Sequence, residues 1–389
     1  MSTDKQPIIL HLPKWYPTEY DDMNGIFVKR HIATVSNVTK SVVVFAQAID
    51  NPTSKFDRQL ENNIITYRFF YAKKITGILP IDKLLKFILY FNCLSKGYRL
   101  CEKEVGVPNL VHVHVLLRTS LFALYIHLFR NIPFVITEHW SIYKPEKKLF
   151  TNPIRRFLSR VVIRKAKAVT TVSKDLQIGM QFQKLRNSRY LIIPNVVDID
   201  AFKVKKQHPE TIQALHISEF NEHDKNVSGI LRVFSRLAEN NVPIKLNIIG
   251  YGDYEKRLHV LAKELGLWNK NVYFLGKRYQ HEVVSAFKES AFFILFSHYE
   301  SQSCVTIEAL ATGTPVIATN VGGIPEIVSS KEGILVSPDN EDELYEGIMN
   351  MINDYKKYDP AKLREKVAEK FSTTTIQNQF NQLYQSIIS

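Results

Sequence analysis

The stretch "ESQSCVTIEALATGTPVIATNVGGIPEI", residues 300–327, begins with two carboxylates eight positions apart, Glu300 and Glu308, and contains no lysine or arginine. An apolar run, AFFILFS (291–297), delivers the chain to it. A helix is predicted over 304–312 and a strand, PVIAT, over 315–319. Strand, loop, helix and strand in that order make the repeating unit of a parallel sheet. In open sheets of this kind ligands bind where strands end and helices begin. The N–H groups of Ser303, Cys304 and Val305, free at the helix start, form an anion site that needs no basic side chain. Glu300 on the loop and Glu308 just over a turn into the helix would flank a phosphate held there. Carboxylates accept hydrogen bonds from paired sugar hydroxyls, so one acid could hold a ribose and the other a hexose, with a diphosphate between. The bland alternative is two exposed acids on a helix surface.

The same alternation extends in both directions. Upstream strands are predicted at TIQALHIS (211–218), IKLNIIG (244–250) and NVYFLG (271–276), with helices over 226–239, 253–265 and 280–288. GILVS (333–337) follows downstream, and 341–355 and 361–387 read as helical. In GYGD, Gly250 and Gly252 would let the backbone approach a ligand closely. The first half repeats the pattern with PIILHL, SVVVFAQ (41–47), NIITYRFF (63–70), LVHVHV (110–115), PFVITEH (133–139), AVTTVS (168–173) and YLIIPN (190–195), and helices over 81–104 and 153–166. PNVVDIDAF reads as a linker. At 389 residues the chain is too long for one core. Two successive doubly wound α/β domains are the economical expectation.

An apolar fraction of 45% and a charged fraction of 23% are ordinary for a globular protein. The polar start, MSTDKQP, has no apolar core of a leader, and no apolar run approaches the roughly 20 residues of a membrane span. Cys93, Cys101 and Cys304 form no metal-binding pattern, which suits a reducing, cytoplasmic compartment. The net charge of +13 is uneven. Residues 1–194 hold 30 Lys and Arg against 13 Asp and Glu, whereas 195–389 hold 21 against 25. The first domain is therefore expected to face something anionic.

At this point the chain resembles the family 4 glycosyltransferases of the GT-B fold, over nearly its whole length. Glu300 and Glu308, the following EALATGTPVIATNVGGIPEIV and GILVSPDN are similar to that family's most specific block. HISEFNEHDKN resembles its segment ending in a phosphate-binding lysine, here Lys225, and GYGD its loop near the nucleotide, here with Gly252. PKWYPTEYDDMNGIFVKRH is similar to the loop that sets a glycine, Gly25, against the donor. LVHVH, ITEHW with His139, AVTTVSKDL and IIPNVVDIDAF match further segments in the same order.

The resemblance implies two Rossmann-like domains facing across a cleft. An acceptor-binding domain would cover 1–195, a donor-binding domain 196–365, and a C-terminal helix, 366–389, would return to the first domain. It implies transfer of a hexose-type sugar from a nucleotide-diphosphate donor to a saccharide or lipid-linked acceptor, with retention, in polysaccharide or glycan biosynthesis. No metal and no cofactor beyond the donor are implied. Glu300 would bind the transferred sugar, Glu308 the ribose, and Lys225 would offset charge on the departing diphosphate. His139 would position the sugar, and Gly25 with the 303–305 amides would complete the phosphate cradle.

Three departures stand out. Ser301, Gln302 and Ser303 replace the family's usual Gly-Phe-Gly, so added side chains could narrow the pocket or reach the sugar. No arginine precedes Lys225 in EFNEHD, and Val196 replaces a common glycine in the linker. A catalytically weakened nucleotide-sugar or glycan-binding protein on the same fold is therefore the alternative. In the basic first domain, 80–103 and 146–167 mix apolar residues with Lys and Arg, so either could rest on the inner face of an anionic membrane. Ordinary sheet-covering helices with snorkelling cations would look similar. Nucleic acid is disfavoured because no reader motif occurs. A dinucleotide-dependent enzyme is disfavoured by the lack of GxGxxG after the first strand.

Overall fold

The computed structural model describes residues 6–388, so residues 1–5 of the polar start read above lie outside the described residues. The strands form two sheets. The first contains β1 (Ile8–Pro13), β2 (Lys40–Ile49), β3 (Phe56–Glu61), β4 (Ile64–Ala72), β5 (Leu110–His114), β6 (Phe134–Glu138), β7 (Ala168–Thr171) and β8 (Tyr190–Ile192), in the order β3-β4-β2-β1-β5-β6-β7-β8. The second contains β9 (Gln213–Glu219), β10 (Lys245–Tyr251), β11 (Val272–Gly276), β12 (Phe292–Leu295), β13 (Val316–Thr319) and β14 (Gly333–Val336), in the order β11-β10-β9-β12-β13-β14. The second sheet is wholly parallel.

The first is mixed, which the alternation of the sequence did not predict, because β3 runs antiparallel to β4. FDRQLE is too polar to read as a strand. Its pairing is set by the tight turn at Asn62 and Asn63, both left-handed with φ of 50° and 62°, the conformation that two-residue hairpins require.

The continuous apolar runs are strands whose two faces are both covered. In β12, Phe292 and Ile294 join one core cluster, with Ile230 and Phe234 of helix Val227–Glu239 and Ile348 of helix Glu341–Asp354. Phe293 and Leu295 point the other way, into a cluster with Ile307 and Leu310 of helix Cys304–Ala311. Period-two alternation thus divides an unbroken apolar run between two layers of helix.

Two compact units result. One comprises 6–172, 176–193 and 376–388; the other comprises 173–175 and 194–375. The tail read as one returning segment from 366 is two helices with different allegiances. Helix Pro360–Phe371 buries Leu363, Val367 and Phe371 in the second unit's core. Helix Thr373–Ile388 buries Phe380 and Tyr384, and the Tyr384 hydroxyl bonds His112 Nδ1 of β5 at 2.7 Å within the first unit.

In both sheets the strand order reverses at an interior position, between β1 and β5 and between β9 and β12. Segments leaving the carboxyl ends of those strands are where doubly wound folds place their ligands. They are 14–25 and 115–117 in the first unit, and 220–225 and 296–303 in the second. Among the described residues no helix is long and apolar enough to cross a membrane.

Candidate functional site

The second unit brings Glu300 and Lys225 together. Lys225 closes the short helix Glu222–Lys225 that follows β9, and Glu300 lies on the loop after β12. Lys225 Nζ donates to Glu300 Oε1 at 2.5 Å, and Ser297 Oγ donates to the same oxygen at 3.0 Å. Ser297 is fixed in turn, its carbonyl accepting from Thr319 Oγ1 at 2.6 Å. Burial pushes the Lys225 ammonium toward losing its proton. The Glu300 carboxylate, helped by Asp224 and Glu219, outweighs this and holds its pKa above the usual lysine value. A charged pair stands where the sequence placed an acid and a cation in separate roles.

The loop around Glu300 is held by backbone packing that only glycine permits. Gly322 has φ of 60°, and a Cβ there would fall 1.8 Å from the Glu300 carbonyl oxygen. A Cβ on Gly323 would fall 2.4 Å from the Ser301 carbonyl oxygen. The two glycines of VGGIPE therefore serve the acid 22 positions upstream, a role no local reading of the sequence assigns.

Helix Cys304–Ala311 begins as predicted, with Ser303 as its N-cap, Oγ accepting from Thr306 N at 3.2 Å. Cys304 and Val305 make the first turn, where the backbone N–H groups of a helix point out of its start. Glu308 lies in the second turn with its side chain buried.

The packing corrects one expectation about the neighbouring residues and adds to another. Gln302 does not reach toward a sugar: its amide oxygen accepts from Asn195 N at 2.6 Å, tying the PNV linker to the Glu300 loop. Gly250 and Gly252 admit protein, since a Cβ on Gly250 would meet the Ser218 carbonyl oxygen at 2.1 Å and one on Gly252 the Phe220 amide nitrogen at 2.9 Å. With φ of 145° at Gly252, these positions seat GYGD against the segment leading to Lys225. In the interval that lacks the arginine, Glu222 accepts from Ser228 and His223 hydrogen-bonds with Asp224, so this segment supplies no arginine or lysine besides Lys225.

In the first unit, Gly25 and His139 come together. Gly25, left-handed with φ of 71°, starts helix Ile26–Val35, and a Cβ there would fall 2.4 Å from the Trp15 backbone. The Phe27 ring lies 4.9 Å from that of His139, and Trp15 lies 5.3 Å from Trp140. Glu138, which the sequence reading passed over, organises this corner. Its oxygens accept from the amides of Leu116, His139 and Trp140 at 2.9 Å and from the Tyr143 hydroxyl at 2.7 Å. Burial raises the pKa of Glu138 despite these four donors. The signal was an acid at the end of an otherwise apolar strand. Beside it His112 and His114 stack with centroids 4.1 Å apart and His11 tilts against both; burial drives all three well below the ordinary histidine range, His11 to about 3, and repulsion among the rings adds to this for His112 and His114.

A family model described as Glycosyl transferases group 1 matches residues 198–370. A second, described as Glycosyltransferase Family 4, matches residues 41–201. An uncharacterized glycosyltransferase from Haemophilus influenzae is 27% identical over 295 residues, which are 75% of this chain and 80% of its own. The solved sucrose-phosphate synthase of Thermosynechococcus elongatus shares the fold with a TM-score of 0.78, at 18% identity over 98% of this chain and 99% of that one. HepE of Anabaena, solved in complex with UDP and glucose, gives a TM-score of 0.74, also at 18% identity, over 98% of this chain and 100% of its own. With the two family models together matching the chain from residue 41 to residue 370, the chain belongs to the family 4 glycosyltransferases.

Proposed function

We propose that the protein transfers a hexose-type sugar from a nucleotide-diphosphate donor to a saccharide or lipid-linked acceptor, with retention and without a metal, in glycan biosynthesis. The observation that carries this reading is the Lys225–Glu300 pair at 2.5 Å, set after the two strands that flank the reversal of the second sheet. The donor reading also draws on HepE, the relative solved with UDP and glucose. Lys225 would move from Glu300 to the diphosphate as charge grows on the leaving oxygen, a stabilisation that strengthens in the transition state. Glu300 would then have its Oε1 released for a sugar hydroxyl, and Ser297 would keep that oxygen oriented. The amides of 303–305 would receive phosphate, Glu308 the ribose, Gly252 would border the nucleotide, and Gly25 and His139 would serve from the first unit.

Incubation with a panel of nucleotide sugars should release nucleoside diphosphate slowly into water and faster with acceptor, unaffected by EDTA, with the product anomer read by NMR. Binding of donor with no release over days would instead favour the catalytically weakened reading, which the acidic interval before Lys225 supports. Exposed Leu79, Leu84, Ile154 and Phe157, set among lysines and arginines, support a peripheral position on the inner face of an anionic membrane.

A further inference from the structure

Three imidazoles gather on one face of the first sheet at its point of reversal. His112 and His114 stand two positions apart on β5, so both side chains leave the strand on the same side. His11 of β1 is paired in register with His112, and its ring lies on that side too, 5.5 Å from each of the others. All three are buried. His11 Nδ1 and His114 Nε2 lie 3.2 Å apart. One nitrogen from each of the three rings falls within 4.8 Å of the other two.

Hydrogen bonding alone does not satisfy this arrangement. The contact between His11 and His114 uses one proton and one lone pair. His11 Nε2 and His114 Nδ1 are buried and have no hydrogen-bond partner among the described residues. Whichever ring donates is left with a bare lone pair on its other nitrogen, and the accepting ring with an unpaired N–H. His112 is held differently, with the Tyr384 hydroxyl 2.7 Å from Nδ1 and Thr137 Oγ1 2.6 Å from Nε2. Thr137 Oγ1 also has Thr170 Oγ1 at 2.6 Å, so it can give up His112 without being stranded. The Tyr384 hydroxyl then accepts from Nδ1–H and orients the ring, a service that metal-bound imidazoles commonly receive from a neighbouring acceptor.

We propose that His11, His112 and His114 hold one zinc ion, with water or hydroxide in the fourth position. Two nitrogens each about 2.0–2.1 Å from a tetrahedral zinc stand about 3.3 Å from one another, close to the 3.2 Å between His11 and His114. His112 completes the set by a turn of its side chain. Burial favours the neutral imidazole that binds a metal, and an all-nitrogen set suits zinc rather than calcium or magnesium. Three neutral ligands leave the ion's charge unbalanced, which favours hydroxide as the fourth. The ion would tie β1 to β5 and, through Tyr384, to helix Thr373–Ile388. The transferase reading is untouched, because there Lys225 and backbone amides meet the diphosphate, and a sealed ion is out of reach of EDTA during a turnover assay.

The full chain is expressed in zinc-supplemented medium, passed through EDTA to strip surface-held metal, and its zinc counted by elemental analysis. One zinc per chain should remain, and cobalt supplied in its place should show the strong visible absorption of a four-coordinate ion. His11→Gln and His114→Gln should each lose the ion, whereas His281→Gln, on the exposed surface, should keep it. Where a cluster variant fails to fold, Tyr384→Phe decides. It retains all three rings and should yield its zinc to a competing chelator at about tenfold to a hundredfold lower concentration than the parent. His139→Gln should keep the ion; loss there would move the metal to His31, His114 and His139, which group in the same way, and overturn the assignment. A parent chain that retains no zinc overturns the site, as does equal retention in the parent, His11→Gln and Tyr384→Phe. A chain that holds zinc and transfers no sugar would sink the transferase reading and leave this one intact.

Discussion

Replacing Gly322 by alanine tests the claim that its missing side chain positions Glu300. The new Cβ would sit 1.8 Å from the Glu300 carbonyl oxygen, at a φ of 60°. A left-handed alanine costs about 1–2 kcal/mol before any contact is counted. Relieving the overlap means moving main chain rather than rotating a side chain, and overpacking of that kind costs about 1–3 kcal/mol. The sum is roughly 2–5 kcal/mol. Gly266 provides the control, since it shares the conformation with φ of 68° and has nothing within 4 Å of its absent Cβ. Gly266→Ala should therefore cost no more than about 1–2 kcal/mol, and the difference between the variants isolates the overlap. At about 2–4 °C per kcal/mol for a unit of this size, the two should differ by about 2–12 °C in thermal unfolding. Because the main chain that yields belongs to Glu300, turnover should fall as well, by about a hundredfold for a displacement near 1 Å. Gly266→Ala should retain full turnover. Melting temperatures of the two variants that coincide, with Gly322→Ala still active, would refute the reasoning.

Four further outcomes are expected. Glu300→Gln and Lys225→Ala should each lower kcat far more than they weaken nucleotide binding, which paired turnover and thermal-shift titrations would reveal; unchanged kcat in both removes the site. Lys205 is buried with its Nζ on the Ser290 carbonyl at 2.9 Å, and burial lowers its pKa to about 7. Its unfolded value is near 10.4, so between pH 7 and 10 the unfolded chain binds the extra proton and stability rises with pH, by about 3–5 kcal/mol from this group. Below pH 7 the penalty of the buried charge is fully present. Lys205→Met should therefore flatten the rise in urea-unfolding stability between pH 6.5 and 9.5, and parallel curves would contradict it. Gln302→Gly should remove the bond to Asn195 N and cost about 1–3 kcal/mol in the same assay, by leaving a buried amide unpaired.

Much of the architecture was legible because apolar strands buried on both faces read as unbroken runs, as at 291–296. β3 was not, because FDRQLE lies largely exposed at a sheet edge and owes its pairing to a turn and to Arg68, which bridges Asp57 and Gln59. Glu300 and the cap at Ser303 could be nominated from the order of strand, loop and helix, and Lys225 from the family resemblance of HISEFNEHDKN. The bonds that hold them could not. Gly322 to Glu300, Gln302 to Asn195 and Ser297 to Glu300 are set by how loops from different strands meet. Sequence spacing carries no record of that approach. The change of unit inside the tail was equally hidden, because helices Pro360–Phe371 and Thr373–Ile388 each carry an apolar stripe that does not record which surface it covers.

That last helix imposes an order on biogenesis. His112 Nδ1 and the Tyr384 hydroxyl are 272 residues apart in the chain. At about 5–20 residues per second on the ribosome, His112 waits roughly 15–50 s for the strap that closes over it. Throughout that interval the nascent first unit presents an open apolar seam, so its maturation is gated by translation of the last twenty residues or so.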